Sequence, residues 1–399
     1  MRFLPALLDR VVATGDLTLT AADNARHRFG DGTGPQIALR VTDPALDRRV
    51  LVNPELAVAE GYMDGAIEFE AGSMHDLVML FYRNRAAYDA HPLQRLRLAL
   101  ARRLRTLVQH NGLGRARANA AHHYDLGNAF YRLWLDRDMQ YSCGYWERGV
   151  ETLDEAQTAK KRHIAAKLAL EPDQRVLDIG CGWGGMALYL ASVADVSVTG
   201  VTLSREQWEI ACRRAETMGL SDRVRFELRD YREIDGPFDR IVSVGMLEHV
   251  GAPWLGTYYQ RVNELLAPDG VALIHAISSI APPGGTSAFL RKYIFPGGYA
   301  PSLSESFAAV ERAGLWSLDA EIWRLHYAET LAAWRARFMA VRDRAVEMYD
   351  ERFARMWEIY LSGCEATFRH STSHVFQMQL GRERDAVPIT RDYIGPAKA

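Results

Sequence analysis

The ten residues VLDIGCGWGG, 176 to 185, place the tightest limit on what this chain can become. An apolar run ends in an aspartate and two alternating glycines, and GGMALYLASV follows as a second apolar run. That is a strand turning directly into a helix, through a loop whose backbone can approach a ligand closely. Downstream, VSVTGVTLS, RVRFELRD, FDRIVSVG and GVALIHAIS read as further apolar strands with helices between them. Capping boxes start two helices: TLDE (Thr152 to Glu155) opens one running to Leu170, and Ser204 to Gln207 opens SREQWEIACRRAETMG. Such alternation predicts a mostly parallel sheet covered on both faces, a doubly wound α/β domain. HVFQMQL is expected as a late antiparallel strand at the sheet edge.

The glycines Gly180, Gly182 and Gly185 also satisfy the dinucleotide pattern GxGxxG, so the residue that discriminates is Asp178. A carboxylate at the end of the strand repels a pyrophosphate seated on the following helix N-terminus. It suits a cofactor that carries an ammonium and a sulfonium and no phosphate, which is S-adenosylmethionine (SAM). An aspartate, a glycine and a second glycine after a first strand are the usual signature of SAM-dependent methyltransferases. Where such enzymes commonly end the second strand with an acid for the ribose, this chain has Thr202, Leu203 and Gln207 in GVTLSREQ. Asp230 and Tyr231, after the third strand, are expected to hold and cover the adenine, with a helix cap as the other reading of Asp230.

The first ninety residues mix strand-like runs such as QIALRV and RRVLV with helices such as SMHDLVMLFY, a small α+β unit. Residues 91 to 120 form an arginine-rich amphipathic stretch, read either as a solvated connecting helix or as a basic face for anionic lipid headgroups. The formal net charge of −2 gives no footprint for nucleic acid. The four cysteines form no CxxC pair and suggest neither a zinc site nor a disulfide framework, which fits a reducing cytoplasm. MRFLPALLDRVVATGD lacks the apolar core of a signal peptide, and no run reaches the roughly 20 apolar residues of a membrane span.

AHHYDLGNAFYRLWLDRDMQYSCGYW, VLDIGCGWGG, GVTLSREQ, EHVG, YIFPGG and HYAETLAAW occur in that order. Together they resemble the cyclopropane-fatty-acyl-phospholipid synthases and the related mycolic acid methyltransferases. The resemblance covers residues 116 to 399 strongly and the N-terminal part loosely, through GYMDGAIEFE. It implies a class I, Rossmann-like methyltransferase domain over 116–399, preceded by a lipid-binding or accessory domain over 1–115. The implied reaction adds the methyl carbon of SAM to an isolated cis alkene in a phospholipid acyl chain. The alkene is a poor nucleophile and attack leaves a carbocation, so the site must be dry, tolerate positive charge and remove a proton as the ring closes. Tyr141, Tyr145, Trp146, Trp183, Phe295 and Tyr327 are candidate aromatic walls; ordinary core packing is the other reading of each, and the favoured one for Trp146 and Phe295.

In that family a bound bicarbonate is the base. The matching positions are Cys143 through its backbone amide, Glu248, His275, Ile277 through its carbonyl, and Tyr327. On this reading Cys143 is neither nucleophile nor metal ligand; Tyr141 and Ser142 beside it touch SAM. His122, His123 and His249 lack a third metal ligand at suitable spacing, and His123 and Tyr124 are expected to orient the segment over SAM. The resemblance further implies a homodimer, cytoplasmic and peripherally bound to membranes. The alternatives are the same first step yielding a methyl- or methylene-branched chain, a small-molecule methyltransferase, and a SAM-binding relic.

Overall fold

The structure is a computed structural model and describes residues 1–90 and 126–395. The arginine-rich stretch and His122, His123 and Tyr124 lie outside these residues. Contacts divide the chain into two compact units. One comprises residues 1–90 with Thr286–Pro296 and Leu331–Thr372; the other comprises residues 126–285, Gly297–Thr330 and 373–395.

The first unit holds strands β1 (Asp16–Thr20), β2 (Arg26–Phe29), β3 (Gln36–Val41) and β4 (Ile67–Ala71), in the order β2-β1-β3-β4. Leu17, Leu19, Ile37, Leu39 and Val41 supply its core. RRVLV was expected as a strand, but it lies in the helix Leu46–Val52. Leu46 and Val50, four residues apart, both turn into the core, and a run this short carries helical and strand periods equally well. Asp47 in that helix accepts from the amides of Arg2, Phe3 and Leu4 and caps the first helix of the chain. A single cut near residue 115 does not describe the units. The long helix Glu351–His370 joins this one, with Tyr62 Oη donating to Glu358 Oε2 (2.8 Å) and Tyr82 meeting Thr367 (2.7 Å).

The second unit carries β5 (Arg175–Ile179), β6 (Ser197–Thr202), β7 (Val224–Leu228), β8 (Phe238–Val244), β9 (Leu266–Ser279), β10 (Trp316–Trp323) and β11 (Ser373–Gly381). Their order is β10-β11-β9-β8-β5-β6-β7, with β5 to β9 parallel. One face packs on helices Leu255–Leu265 and Leu303–Arg312, the other on Leu153–Leu168, Gly185–Val193 and Arg205–Thr217. This is the doubly wound sheet predicted from the alternation. HVFQMQL, expected at the edge, is instead an internal strand, because β11 pairs antiparallel with both β9 and β10. Its inward and outward residues are all buried, as a strand covered on both sides requires. The Thr152–Glu155 capping box is present; Ser204 caps its helix through the Gln207 amide, while the Gln207 side chain turns to Thr202.

Gly185 begins the helix after the glycine loop, and the segment 138–140 crosses it closely. A Cβ there stands within 3.0 Å of Gln140 Nε2 and Asp138 Oδ2. Neither side chain is free to retreat: Lys161 and Arg214 hold Asp138, and Lys160 holds Gln140. Gly185→Ala is therefore expected to lower the melting temperature by about 2–6 °C, the cost of overpacking a closed crossing. Differential scanning calorimetry checks this; an unchanged melting temperature disproves the tight crossing.

Candidate active site

Strand order reverses at β5: β6 and β7 lie on one side, β8 and β9 on the other. Carboxyl ends of strands at such a reversal open a crevice. The turn that ends β5 is fixed by one carbonyl, since Val201 O accepts from both Gly180 N (2.9 Å) and Cys181 N (3.0 Å). Gly180 and Gly182 adopt φ of +82° and +54°, which an L side chain resists. Around this turn lies one cavity, and all ten expected cofactor residues line it. Tyr141 and Ser142 come from the segment crossing its mouth, and Asp178, Gly180 and Gly182 from β5 and its loop. Thr202 ends β6, and Leu203 and Gln207 follow it; Asp230 and Tyr231 follow β7.

Asp178 is 2 % exposed, and its Oδ2 has no hydrogen-bond partner among the described residues. Burial pushes its carboxyl up to about 7, against the opposing pull of the Ala187 amide and Lys160. A cationic group brought beside it repays that desolvation. Asp230 is differently placed. Its carboxylate already accepts from the amide and guanidinium of Arg232 and caps the turn Tyr231–Glu233, so the cap reading describes its contacts.

A second group of residues gathers beyond the ends of β8 and β9. Glu248 lies in the short helix after β8, where its Oε1 accepts from the Ile277 amide at 2.6 Å. In an extended strand a residue's N–H and C=O point to the same side, so Ile277 presents its carbonyl toward Glu248 as well. Glu248 Oε2 is buried without a partner among the described residues, and burial raises the acid to about 7. His275, two residues earlier on β9, is 2 % exposed; burial holds it well below the usual imidazole range, hence neutral. Its Nδ1 meets Gln377 at 3.2 Å, and Trp323 packs edge-on against its ring.

Cys143 is 1 % exposed. Burial pushes its thiol far above the ordinary range, and Sγ donates to Gly144 O. Its backbone amide has no acceptor among the described residues. Tyr327 is buried in the first turn of the helix beginning at His326. That turn grips the segment after Cys143: Thr330 Oγ1 accepts from Gly144 N and Trp146 Nε1, and His326 Nδ1 accepts from Trp146 N.

Of the expected aromatic walls, Tyr141 and Trp183 line the cavity, backed by Tyr131, whose ring lies 5.4 and 5.3 Å from theirs. Tyr145 does not; it is stacked between His163 (4.5 Å) and His326 (4.9 Å). Phe295 belongs to the first unit, where it meets Tyr360. Several lining residues were not assigned to the cofactor by the sequence reading. Gly245, Met246 and His249 follow β8, and the rule that ligands sit at the strand-order reversal points to that strand's end. Burial brings His249 down to about 4, which keeps it neutral. Gln157 and Lys160, on the helix Leu153–Leu168, hold the crossing segment: Gln157 Nε2 donates to Ser142 O, and Lys160 Nζ to Gln140 Oε1 and Ser142 Oγ. Their polar side chains in an amphipathic helix give no signal in sequence of facing inward.

Residues 112–378 match the family described as mycolic acid cyclopropane synthetase. The chain belongs to that family. Residues 4–90 match a domain described only as of unknown function. Cyclopropane-fatty-acyl-phospholipid synthase of Escherichia coli K12 is 40% identical over 344 residues, 86% of this chain and 87% of that protein. Tuberculostearic acid methyltransferase UfaA1 of Mycobacterium tuberculosis is 33% identical, covering 94% of this chain and 90% of that one. The crystal structure of mycolic acid cyclopropane synthase CmaA1 complexed with SAH and CTAB superposes with a TM-score of 0.63 at 34% identity, covering 66% of this chain and 97% of that chain. The family member described here is a SAM-dependent methyltransferase.

SAM fits the cavity, because the unpartnered Asp178 oxygen asks for a cation and the glycine loop leaves room for the ligand's backbone-facing atoms. Binding requires the ionised carboxylate, so affinity is full above pH 7 and is lost as pH falls through it. Calorimetric titration with SAH is expected to show Kd rising up to about tenfold per pH unit below 7. Asp178→Asn is expected to bind about 10–100-fold more weakly and with that pH slope removed. Wild-type affinity and slope in the variant rule Asp178 out as the cation's partner.

Proposed function

We propose that this chain converts an isolated cis double bond of an unsaturated phospholipid acyl chain into a cyclopropane ring, and that bicarbonate held by Cys143, Glu248, His275, Ile277 and Tyr327 takes up the departing proton. The observation that carries this reading is the Glu248–Ile277 pair: a carboxylate tethered to a strand amide, its second oxygen buried and unpartnered among the described residues, with a neutral histidine two residues earlier on the same strand. SAM supplies the electrophilic methyl group. Asp178 and the glycine loop hold its cationic amino-acid portion, and Tyr141 and Trp183 put aromatic faces where positive charge needs support and water must be excluded. Glu248, pushed up to about 7 by burial, can accept a hydrogen bond as carboxylate or donate one as acid. The Cys143 amide adds a fixed donor, and its protonated thiol plays no nucleophilic part.

In this reading the substrate is met at a bilayer surface by a cytoplasmic homodimer, with the N-terminal domain serving lipid binding. No described helix is long and apolar enough to cross a membrane. A relative named for making a methylated fatty acid, matched over 94% of this chain, supports a second outcome in which the same first step ends in a branched chain. Expression in a bacterium lacking cyclopropane lipids, with ring-specific fragmentation of the acyl chains, separates the two products.

The roles of the individual groups are tested by a pair of variants. Glu248→Gln is expected to lower turnover about 10²–10⁴-fold with SAH affinity nearly intact, as for loss of a proton-transfer group. Cys143→Ser keeps the backbone amide and is expected to stay substantially active. Steady-state rates on vesicles of a monounsaturated phospholipid rank the two; a reversed ranking in folded, SAH-binding proteins overturns the assignment.

A further inference from the structure

Three lysines of the helix Leu153–Leu168 are buried or nearly so, and two have obvious partners. Lys161 pairs with Asp138 at 2.5 Å and Lys167 with Glu321 at 2.5 Å. Lys160 is 0 % exposed and has no carboxylate within 4.0 Å among the described residues. Its ammonium donates to two neutral oxygens, Gln140 Oε1 at 2.8 Å and Ser142 Oγ at 2.7 Å. A buried ammonium without a close counter-ion is expensive, and burial lowers Lys160 to about 8, with Asp136 the acid that most opposes the shift. Gln157, one turn earlier on the same helix, could alone have fastened the segment, since it already donates to Ser142 O at 2.8 Å. Hydrogen bonding by itself therefore does not explain why a charge stands there.

The surroundings supply a reason. Lys160 is fastened to Ser142, which lines the cofactor cavity and precedes Cys143, and its charge is felt at Cys143, Asp178 and His275. That group contributes no cation of its own. The Cys143 amide, the Ile277 carbonyl and the Tyr327 hydroxyl are neutral, His275 is held neutral, and Glu248 is an acid. The other lysine acting on His275, Lys167, already has Glu321 as partner. An anion brought beside Glu248 in so buried a place needs a compensating positive charge.

We propose that Lys160 is a positioning residue that supplies this counter-charge, holding the segment 140–143 by its two hydrogen bonds so that a buried positive charge and the Cys143 amide face the anion together. The inference rests on the bicarbonate reading above and extends it to a residue outside the five that define that site.

The test measures cyclopropanation of monounsaturated phosphatidylglycerol vesicles by the full-length protein, in buffer stripped of carbon dioxide and then supplied with graded bicarbonate. SAH affinity is measured in parallel by calorimetry. The wild-type rate is expected to rise and saturate with bicarbonate. Lys160→Met is expected to need about tenfold or more bicarbonate for half-maximal rate, while its SAH affinity stays within about threefold of wild type. Lys160→Arg is expected to recover most of the bicarbonate response. If Lys160→Met does not fold, Lys160→Gln, which keeps a donor for Ser142 but no charge, carries the same comparison. An unchanged half-saturating bicarbonate concentration in the uncharged variant, or a loss confined to SAH affinity, overturns the proposal. A wild-type rate indifferent to bicarbonate instead overturns the underlying base assignment.

Discussion

The Val201 carbonyl, shared by the amides of Gly180 and Cys181, is the contact on which the rest of the site depends. It ends β5 abruptly and ties the loop to β6, so the chain turns back over the sheet with its glycines in left-handed conformations. Because the turn is that tight, Asp178 remains at the last ladder positions of the strand, where neighbouring strands bury it. A looser turn would let water reach the carboxylate, and with it would go the elevated affinity for a proton that makes the position attractive to a cationic ligand.

The cavity beside this turn and the group around Glu248 have opposite electrostatic character. One is organised by a carboxylate lacking a cation; the other combines amide donors, a neutral imidazole and an acid near neutrality. The segment from Met139 to Cys143 contributes Tyr141 and Ser142 to the first, and on the proposed reading its Cys143 amide serves the second. Holding this segment and the residues just after it is work shared by several elements: Gln157 and Lys160 from one helix and Asp136 from the segment's own approach hold residues 140–142, and Thr330 and His326 from another helix hold Gly144 and Trp146. Chemistry that must pass positive charge from one compartment to the other requires such a wall to keep its place.

Much of this was legible in the sequence where local patterns and ligand chemistry agree. The glycine loop and Asp178 announced the cavity, and every residue assigned to it by motif lines it. Patterns failed where only tertiary contact decides. RRVLV has too few residues to separate two periods, and its helix is fixed by Leu46, Val50 and the capping by Asp47. HVFQMQL reads correctly as a strand, but its neighbours on both sides are chosen by residues far away in the chain. Tyr145 was a candidate cavity wall as one of the aromatics around Cys143; its ring stacks on His163 and His326 instead, a tertiary contact that no local pattern announces. Lys160 escaped notice because a lysine on an amphipathic helix ordinarily faces water, and only the crossing of segment 138–142 over that helix turns it inward.

The internal position of β11 bears on how the protein is made. Strand β9 carries His275 and Ile277 and is paired along residues 271–279 with residues 373–381. During synthesis β9 emerges long before its partner, and until residue 381 has left the ribosome it presents an unsatisfied edge of apolar backbone. The sheet that positions the site is thus closed by a segment far downstream of β9 in the chain. A chain halted between the two holds the glycine loop and Glu248 but leaves one edge of β9 unpaired and open to strand exchange with other chains.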